Sequence, residues 1–326
     1  MNKTTWADWT VNPFRVEEIA TGKIGWGCTK VSAGCANCYA ETLNNRFGTR
    51  LPFTKESEAK FRFVLDEKAL RSIITSRAKP GSRVFPCDMT DLFHPMIPFE
   101  FVDHLWAAMA LRPDLIFMVL TKRPGRMLEY FIGAGSVWGR IAHRAIYMHQ
   151  DCTGEDRPDW LVLQLKKNLY ESNNLPNVQL FVSVENQATA DERIPLLLQC
   201  PAAVRGVSYE PALGPVDFAP WLRPVHADAI DAPWRRERIP ALTMGKSSFA
   251  AADETPWLDG LDGVIAGGET GPGARPANPE WFRKVRNACA AARVAFFLKQ
   301  LGGNLSNKGG RVLDGLVHDD LPGGGK

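Results

Sequence analysis

Residues 179–200 read QLFVSVENQATADERIPLLLQC, and this stretch decides the fold. Residues 179–184 are rich in Val and Phe over the length of a buried strand. Residues 189–200 then space their apolar side chains as a helix does, with Pro195 expected to kink or shorten it. Strand, polar turn and helix together form the repeating unit of an α/β protein. Outward from this unit, residues 23–27, 83–87, 116–120, 203–207, 263–266 and 295–298 also read as strands. Residues 99–111 carry a helical stripe of Phe101, Val102, Leu105, Trp106 and Met109. Residues 278–293 open on Asn-Pro-Glu, a helix start with proline in the first turn. Alternation of this kind predicts parallel strands joined by crossover helices. Seven such strands favour a partial or closed parallel β/α barrel, built as one domain over residues 1–326. Residues 137–177 and 212–261 are longer than one crossover needs and read as two insertions at the working rim. The tail from residue 302 is Gly-rich, with a mobile end expected.

The residues just past each strand are polar. Asp88, Thr90 and Asp91 come after one strand, Thr121, Lys122 and Arg123 after the next. Ser183, Glu185 and Asn186 come next, then Ser208 and Glu210. Gly267, Gly268, Glu269 and Arg275 come after these, and last Lys299 and Gln300. In a β/α barrel such ends meet on one face, where the fold carries its chemistry. Asp, Ser, Thr and Asn in these places also cap helices. Six successive ends with polar or charged groups nonetheless point to a shared site. In GGETGPG, adjacent glycines allow close backbone approach, and Glu269 sets a carboxylate beside exposed amides. That loop suits an amino-acid-like ligand.

Net charge is 39 − 36 = +3, too mild to argue for nucleic acid by itself. No apolar run reaches the roughly 18 residues of a membrane span, and the first residues lack a secretory core. A cytoplasmic protein with no membrane partner is expected. Seven cysteines is an odd count. Cys200 and Cys289 sit in apolar helical contexts as buried small hydrophobes. Cys28, Cys35 and Cys38 are clustered in GWGCTKVSAGCANCYAE, residues 25–41. Structural zinc takes four ligands, yet only Cys35 and Cys38 have knuckle spacing. Cys87 or His94 would have to be recruited from afar. Inert thiols are a second reading. A [4Fe–4S] cluster on three cysteines, with one iron left open, fits the odd number and the single loop best.

Several longer segments carry a family resemblance. They are NPFRVEEIATGKIGWGCTKVSAGCANCYAE, FPCDMTDLFHP, MVLTKRPGRM, residues 181–218, GVIAGGETGPGARPANPEWFRKVRNAC and FFLKQLGG. Together they resemble a phage-associated three-cysteine-motif family, a domain of unknown function. The cysteine loop is in turn similar to that of radical S-adenosylmethionine (SAM) enzymes of the DNA photoproduct-lyase type. It departs from them by three extra residues between Cys28 and Cys35, and by a GGE motif after the sixth strand rather than the second.

The resemblance implies a [4Fe–4S] cluster on Cys28, Cys35 and Cys38, a barrel of the radical SAM type, and one-electron cleavage of SAM to a 5′-deoxyadenosyl radical. An electron donor such as flavodoxin or ferredoxin is implied as partner. Tyr39 becomes an adenine neighbour. Asp88 or Asp91, or else Gly267, Gly268 and Glu269, become contacts of SAM, with Ser183 beside them. Phage association implies a nucleotide or an amino-acid-decorated thymine base in DNA as substrate, rearranged by an isomerase or lyase in the host cytoplasm. Such a base must be flipped out or single-stranded. Glu185, Glu210, Lys122 and Lys299 are the candidate catalytic groups, and Arg123, Asn186, Arg275 and Gln300 the candidate substrate contacts. Arg123 and Arg275 suit a phosphate or carboxylate. Trp138, Trp160, Trp221, Trp234 and Trp257, with Arg235, Arg236 and Arg238, could supply stacking and phosphate contacts; ordinary core tryptophans and a solvated basic turn are the alternative. Two other readings stand beside this one. One is a zinc-stabilised, non-catalytic phage nucleic-acid-binding module. The other is a metal-free hydrolase using Glu185 and Glu210 as acid and base.

Overall fold

The computed structural model describes residues 5–133, 137–154, 159–165, 174–222, 260–304 and 306–323. The chain opens with β1 (Trp9–Val11) and then builds a small antiparallel sheet from β2 (Phe14–Glu18), β3 (Ile24–Gly25) and β4 (Phe61–Leu65), ordered β3-β2-β4. Helix α1 (Tyr39–Phe47) falls between β3 and β4 in sequence. Next are α2 (Glu67–Thr75), β5 (Arg83–Pro86), α3 (Phe99–Ala110), β6 (Ile116–Thr121), α4 (Pro124–Ile132), α5 (Val137–Thr153) and α6 (Asp159–Leu165). Then come β7 (Val178–Ser183), α7 (Gln187–Leu198), β8 (Val204–Tyr209), β9 (Gly263–Gly267), α8 (Pro279–Ala292) and β10 (Ala295–Gln300). A short hairpin, β11 (Val312–Leu313) and β12 (Leu316–Val317), completes the described elements.

The main sheet runs β1-β5-β6-β7-β8-β9-β10, and its registered pairs are parallel. Each strand neighbours the next one of this sheet in chain order. That singly wound order has two ends, β1 and β10, and is consistent with a partial β/α barrel rather than a closed one. The fold is therefore mixed α/β around a seven-stranded parallel sheet.

One expected strand lies elsewhere. Residues 23–27 read as the opening strand of the main sheet, but only Ile24–Gly25 is extended, and it pairs antiparallel with β2. Two of those five residues are glycines, which give a central strand no side chains to bury on its two faces. Trp9–Val11 opens the main sheet instead, with Trp9 and Val11 buried. The cysteine loop thus comes after a strand of the small antiparallel sheet and not one of the parallel sheet.

The chain divides into two compact units, residues 1–183 with 202–204, and residues 184–201 with 205–326. In the first, α3 is buried nearly all round because α2 and α5 pack on it. Residues 137–177, read as an insertion, begin with α5 itself, whose Trp138, Ile141, Ala142 and Ala145 are buried. The turn before the cysteines is held by Asn44 of α1, which is fully buried. Its Oδ1 accepts from the backbone N of Trp26 (3.0 Å) and Thr49 (3.2 Å). Its Nδ2 donates to Thr49 Oγ1 and to the Leu51 carbonyl, both at 3.1 Å. Gly27 is required by packing, since a Cβ there would stand 2.6 Å from Val16 Cγ1.

In the second unit, α7 begins at a capping box, where Asn186 Oδ1 accepts from Thr189 N and Thr189 Oγ1 accepts from Asn186 N. The helix runs on to Leu198 through Pro195. Helix α8 is capped by Asn278, whose side chain accepts from Glu280 N, with Pro279 as its first residue. Cys200 and Cys289 are fully buried as expected, and burial pushes the Cys289 thiol up to about 12.

Substituting Asn44→Ala strands the buried amides of Trp26 and Thr49, and should lower stability by about 2–3 kcal/mol. Urea unfolding reads this as a lower midpoint at constant slope; a midpoint that does not move would show that the turn holds itself.

Candidate functional site

Cys28, Cys35 and Cys38 are all half-buried and free of disulfides. Residues Ala33–Cys35 form a single 3-10 turn, and Cys38 is the N-cap of α1. Cys28 and Cys38 both pack against one apolar cluster of Ala40, Phe53 and Met89. Burial raises both thiols. For Cys28 the Arg123 guanidinium opposes that shift. For Cys38 the backbone amides of Glu41 and Ala40 and the Lys122 ammonium oppose it, while Cys35 adds to it. Among the described residues, no three His, Cys, Asp or Glu side chains stand close enough to hold a single metal ion. A cluster spreads its ligands over several irons, so its thiols stand farther apart than those around one ion. Three soft donors from one loop, with cations beside them, fit an iron–sulfur cluster in kind. They fit a closed zinc site poorly. Of the two distant ligands that zinc could recruit, Cys87 is buried, which pushes its thiol well up, and His94 accepts from Met96 N at Nδ1 (3.3 Å) and meets Thr29 Oγ1 at Nε2 (2.8 Å), so both ring nitrogens are in use.

Asp91 lies at the centre of the polar groups of this unit. Its Oδ1 accepts from Thr121 Oγ1 (2.7 Å) and Phe93 N (3.0 Å), and its Oδ2 accepts from Lys122 N (2.9 Å). Arg123 Nη1 completes the set at 3.0 Å. Burial alone would raise this carboxyl, but Arg123 and these donors hold it below the usual carboxylate range. Arg123 in turn donates to the Thr29 carbonyl (2.7 Å) and to Cys28 Sγ (3.7 Å). Two expectations change. Asp91 has no oxygen to spare for an ammonium group, and Arg123 is turned toward the cysteine loop rather than toward a substrate anion. Lys122 donates to Ser183 Oγ (2.9 Å), which is buried.

Asp88 is better placed to meet a ligand. Burial raises its carboxyl, which accepts from Asn12 Nδ2 at 2.6 Å. Asn12 also accepts from Met89 N, so the Asn-Pro step after β1 fixes the turn after β5. Tyr39 donates to the Asp88 carbonyl (2.5 Å) and keeps about half its surface exposed (53%). Thr29 and Glu58 are neighbours of the cysteine loop that sequence reasoning missed, and His94, weighed there only as a distant zinc ligand, joins them through Thr29. Thr29 Oγ1 donates to Glu58 Oε1 (2.7 Å), and Lys55 Nζ meets Glu58 Oε2 at 2.5 Å. Thr29 adjoins Cys28 in sequence and could be found there; Glu58 comes from a distant segment with no local signal, and nothing in the sequence ties His94 to Thr29.

In the second unit the strand ends form separate ion pairs. Glu185 is fully buried on Arg193 (3.3 Å). Glu210 accepts from Lys299 Nζ (2.8 and 3.0 Å) and from Gln300 Nε2 (2.7 Å). Glu269 is gripped by Arg275 through Nε (2.8 Å), Nη2 (2.5 Å) and backbone N (2.9 Å). An acid/base pairing of Glu185 with Glu210 has no support in this geometry, because one is sealed off and the other is a threefold acceptor. Asn186, expected as a substrate contact, spends its side-chain oxygen as the cap of α7. Gly267 and Gly268 admit close neighbours, but these belong to the protein. A Cβ on Gly268 would collide with the Leu301 carbonyl, and one on Gly267 would stand 2.9 Å from Gln300 Nε2. Gln300 itself bridges Glu210 and the Gly268 carbonyl (2.9 Å).

Trp138 is core rather than a stacking platform, lying on Phe131 with centroids 5.8 Å apart, and Trp221 is buried beside Phe218. Trp234, Trp257, Arg235, Arg236 and Arg238 lie outside the described residues, as does the side chain of Trp160. No helix among the described residues is long and apolar enough to cross a membrane.

An α/β chain built on a seven-stranded parallel sheet, with a three-cysteine loop and buried ion pairs at its strand ends, is the class of protein this geometry defines. Over residues 2–322 the chain matches the family described as protein of unknown function (DUF5131), and it belongs to that family. No curated protein and no solved structure matches it.

Burial, aided by the Arg123 charge, holds the His94 imidazole down to about 4. The folded protein therefore takes up this proton less readily than the unfolded chain. His94 contributes its full stability above pH ~6.5, and up to about 3 kcal/mol of it is lost as pH falls toward 4. Urea unfolding across that window should show a shallower pH dependence in His94→Gln than in the parent protein. Parallel curves would mean that His94 does not titrate there.

Proposed function

We propose that this chain is a radical SAM enzyme that holds a [4Fe–4S] cluster on Cys28, Cys35 and Cys38 and acts on a nucleotide or modified base. The observation that carries the reading is the set of three thiols on one loop, two against a single apolar cluster, with Arg123 and Lys122 bringing positive charge to them. Three cysteine ligands leave one iron for another ligand. When bound, such a cluster supplies the electron that cleaves SAM to methionine and a 5′-deoxyadenosyl radical.

The protein's own part is binding, orientation and exclusion of water. Asp88, whose carboxylate neighbours the exposed Tyr39 ring, suits an ammonium group, and the ring suits a purine face. In the second unit, Glu210 and Glu269 are held by Lys299 and Arg275, whose side chains keep 21% and 35% of their surface. Cations of that exposure suit a substrate carrying carboxylate or phosphate. This fits a thymine-derived, amino-acid-decorated base in phage DNA, processed by isomerase or lyase chemistry with a flavodoxin- or ferredoxin-like donor.

Anaerobic purification should yield a brown protein with about four irons per chain, its absorbance lost in Cys28→Ala. Incubation with SAM and dithionite should release 5′-deoxyadenosine, monitored by mass spectrometry. Colourless protein that retains zinc, or iron-loaded protein that never yields 5′-deoxyadenosine, would sink the reading.

A further inference from the structure

The contacts of Arg123 define a role that its place after β6 does not announce. Its backbone N donates to Thr121 Oγ1 (2.9 Å), and Pro124 comes next as the first residue of α4. The side chain therefore leaves from a fixed point. It ends among three acceptors: the Asp91 carboxylate (3.0 Å), the Thr29 carbonyl (2.7 Å) and Cys28 Sγ (3.7 Å). Only 10% of the side chain is exposed, so the fork is spent on the protein. Thr29 is secured from its other side as well, through the hydroxyl contacts to Glu58 and His94.

We propose that Arg123 is a positioning residue for the Cys28 arm, setting the place of its sulfur and the electrostatic potential of the group that sulfur holds. This rests on the iron–sulfur proposal for the three cysteines. A hydrogen bond and a positive charge at a ligand sulfur favour the reduced, more negative cluster. The Asp91 carboxylate opposes part of that charge, so the two residues act with opposite sign on one sulfur. Partners behind a ligand of this kind change metal affinity by about 10–100-fold when removed.

The test compares wild-type, Arg123→Gln, Arg123→Lys and Asp91→Asn proteins after anaerobic reconstitution. Iron retention under chelator and the midpoint potential by EPR-monitored titration are the readouts. Arg123→Gln should lose iron about 10–100-fold faster and shift the potential negative. Arg123→Lys, which keeps charge without the fork, should shift it less. Asp91→Asn should shift it positive, an opposite sign that general loosening of the fold would not produce. If Asp91→Asn fails to fold, the graded order of the two Arg123 variants carries the test. Arg123→Gln with wild-type potential and iron retention overturns the positioning role alone. A wild-type protein that takes up no iron overturns this role together with the reading it rests on.

Discussion

A single saturated carboxylate holds the first unit's strand ends together. Burying a carboxylate costs several kcal/mol unless its lone pairs are filled and its charge is met. Asp91 meets both conditions, with two backbone amides, a hydroxyl and a guanidinium. Two of those donors, Thr121 and the Lys122 amide, come from the end of β6, so the carboxylate ties the turn after β5 to it. The fourth donor, Arg123, carries the tie on to the cysteine loop. Without Asp91, Arg123 would be a nearly buried cation with no counter-charge, and the Thr29 carbonyl would lose a donor held in place. The loop's position is thus set by a chain of charges that begins at the sheet.

A second chain approaches the same loop through neutral groups. His94 accepts from Met96 at Nδ1, which leaves Nε2 to donate to Thr29, and Thr29 then donates to Glu58. Each group donates one way along that path, so the neutral imidazole is the form that satisfies it. Asn44 adds a third hold at Trp26, ahead of Cys28. These attachments at Trp26, Cys28 and Thr29 explain how a loop with few apolar side chains of its own keeps one course.

The local parts of this arrangement are legible in the sequence, and the non-local parts are not. The strand, cap and helix of residues 178–198 write themselves in consecutive residues, and the structure keeps each boundary within about two residues. Ile24–Gly25 goes to a different sheet from the one expected because alternation over five residues does not say which sheet a strand joins. Arg123 and Asp91 are visible as polar groups at strand ends, yet their roles depend on which donor reaches which oxygen across neighbouring strands. No spacing rule encodes that. Asn186 shows the opposite case, where the plain local role of helix cap is the correct one.

The glycines of the GGE loop show how far a motif can be taken. Their lack of a Cβ is needed, but Gly268 is crowded by the Leu301 carbonyl of its own unit, so close approach there does not by itself identify a ligand. What separates a closed ion pair from one that can take a further partner is the exposure of its cation. Arg193 on Glu185 keeps 2% of its side-chain surface, and a ligand reaching it would first have to break the core. Arg275 and Lys299 keep 35% and 21%, enough for a third group to bond their outer donors while the carboxylates hold the inner ones. A pair of that kind keeps its charge fixed and its geometry prepared before the ligand arrives, which reduces the ordering cost of binding. Of these three strand-end pairs, Arg275 after β9 and Lys299 within β10 present addressable cations, and the Glu185 pair works as packing.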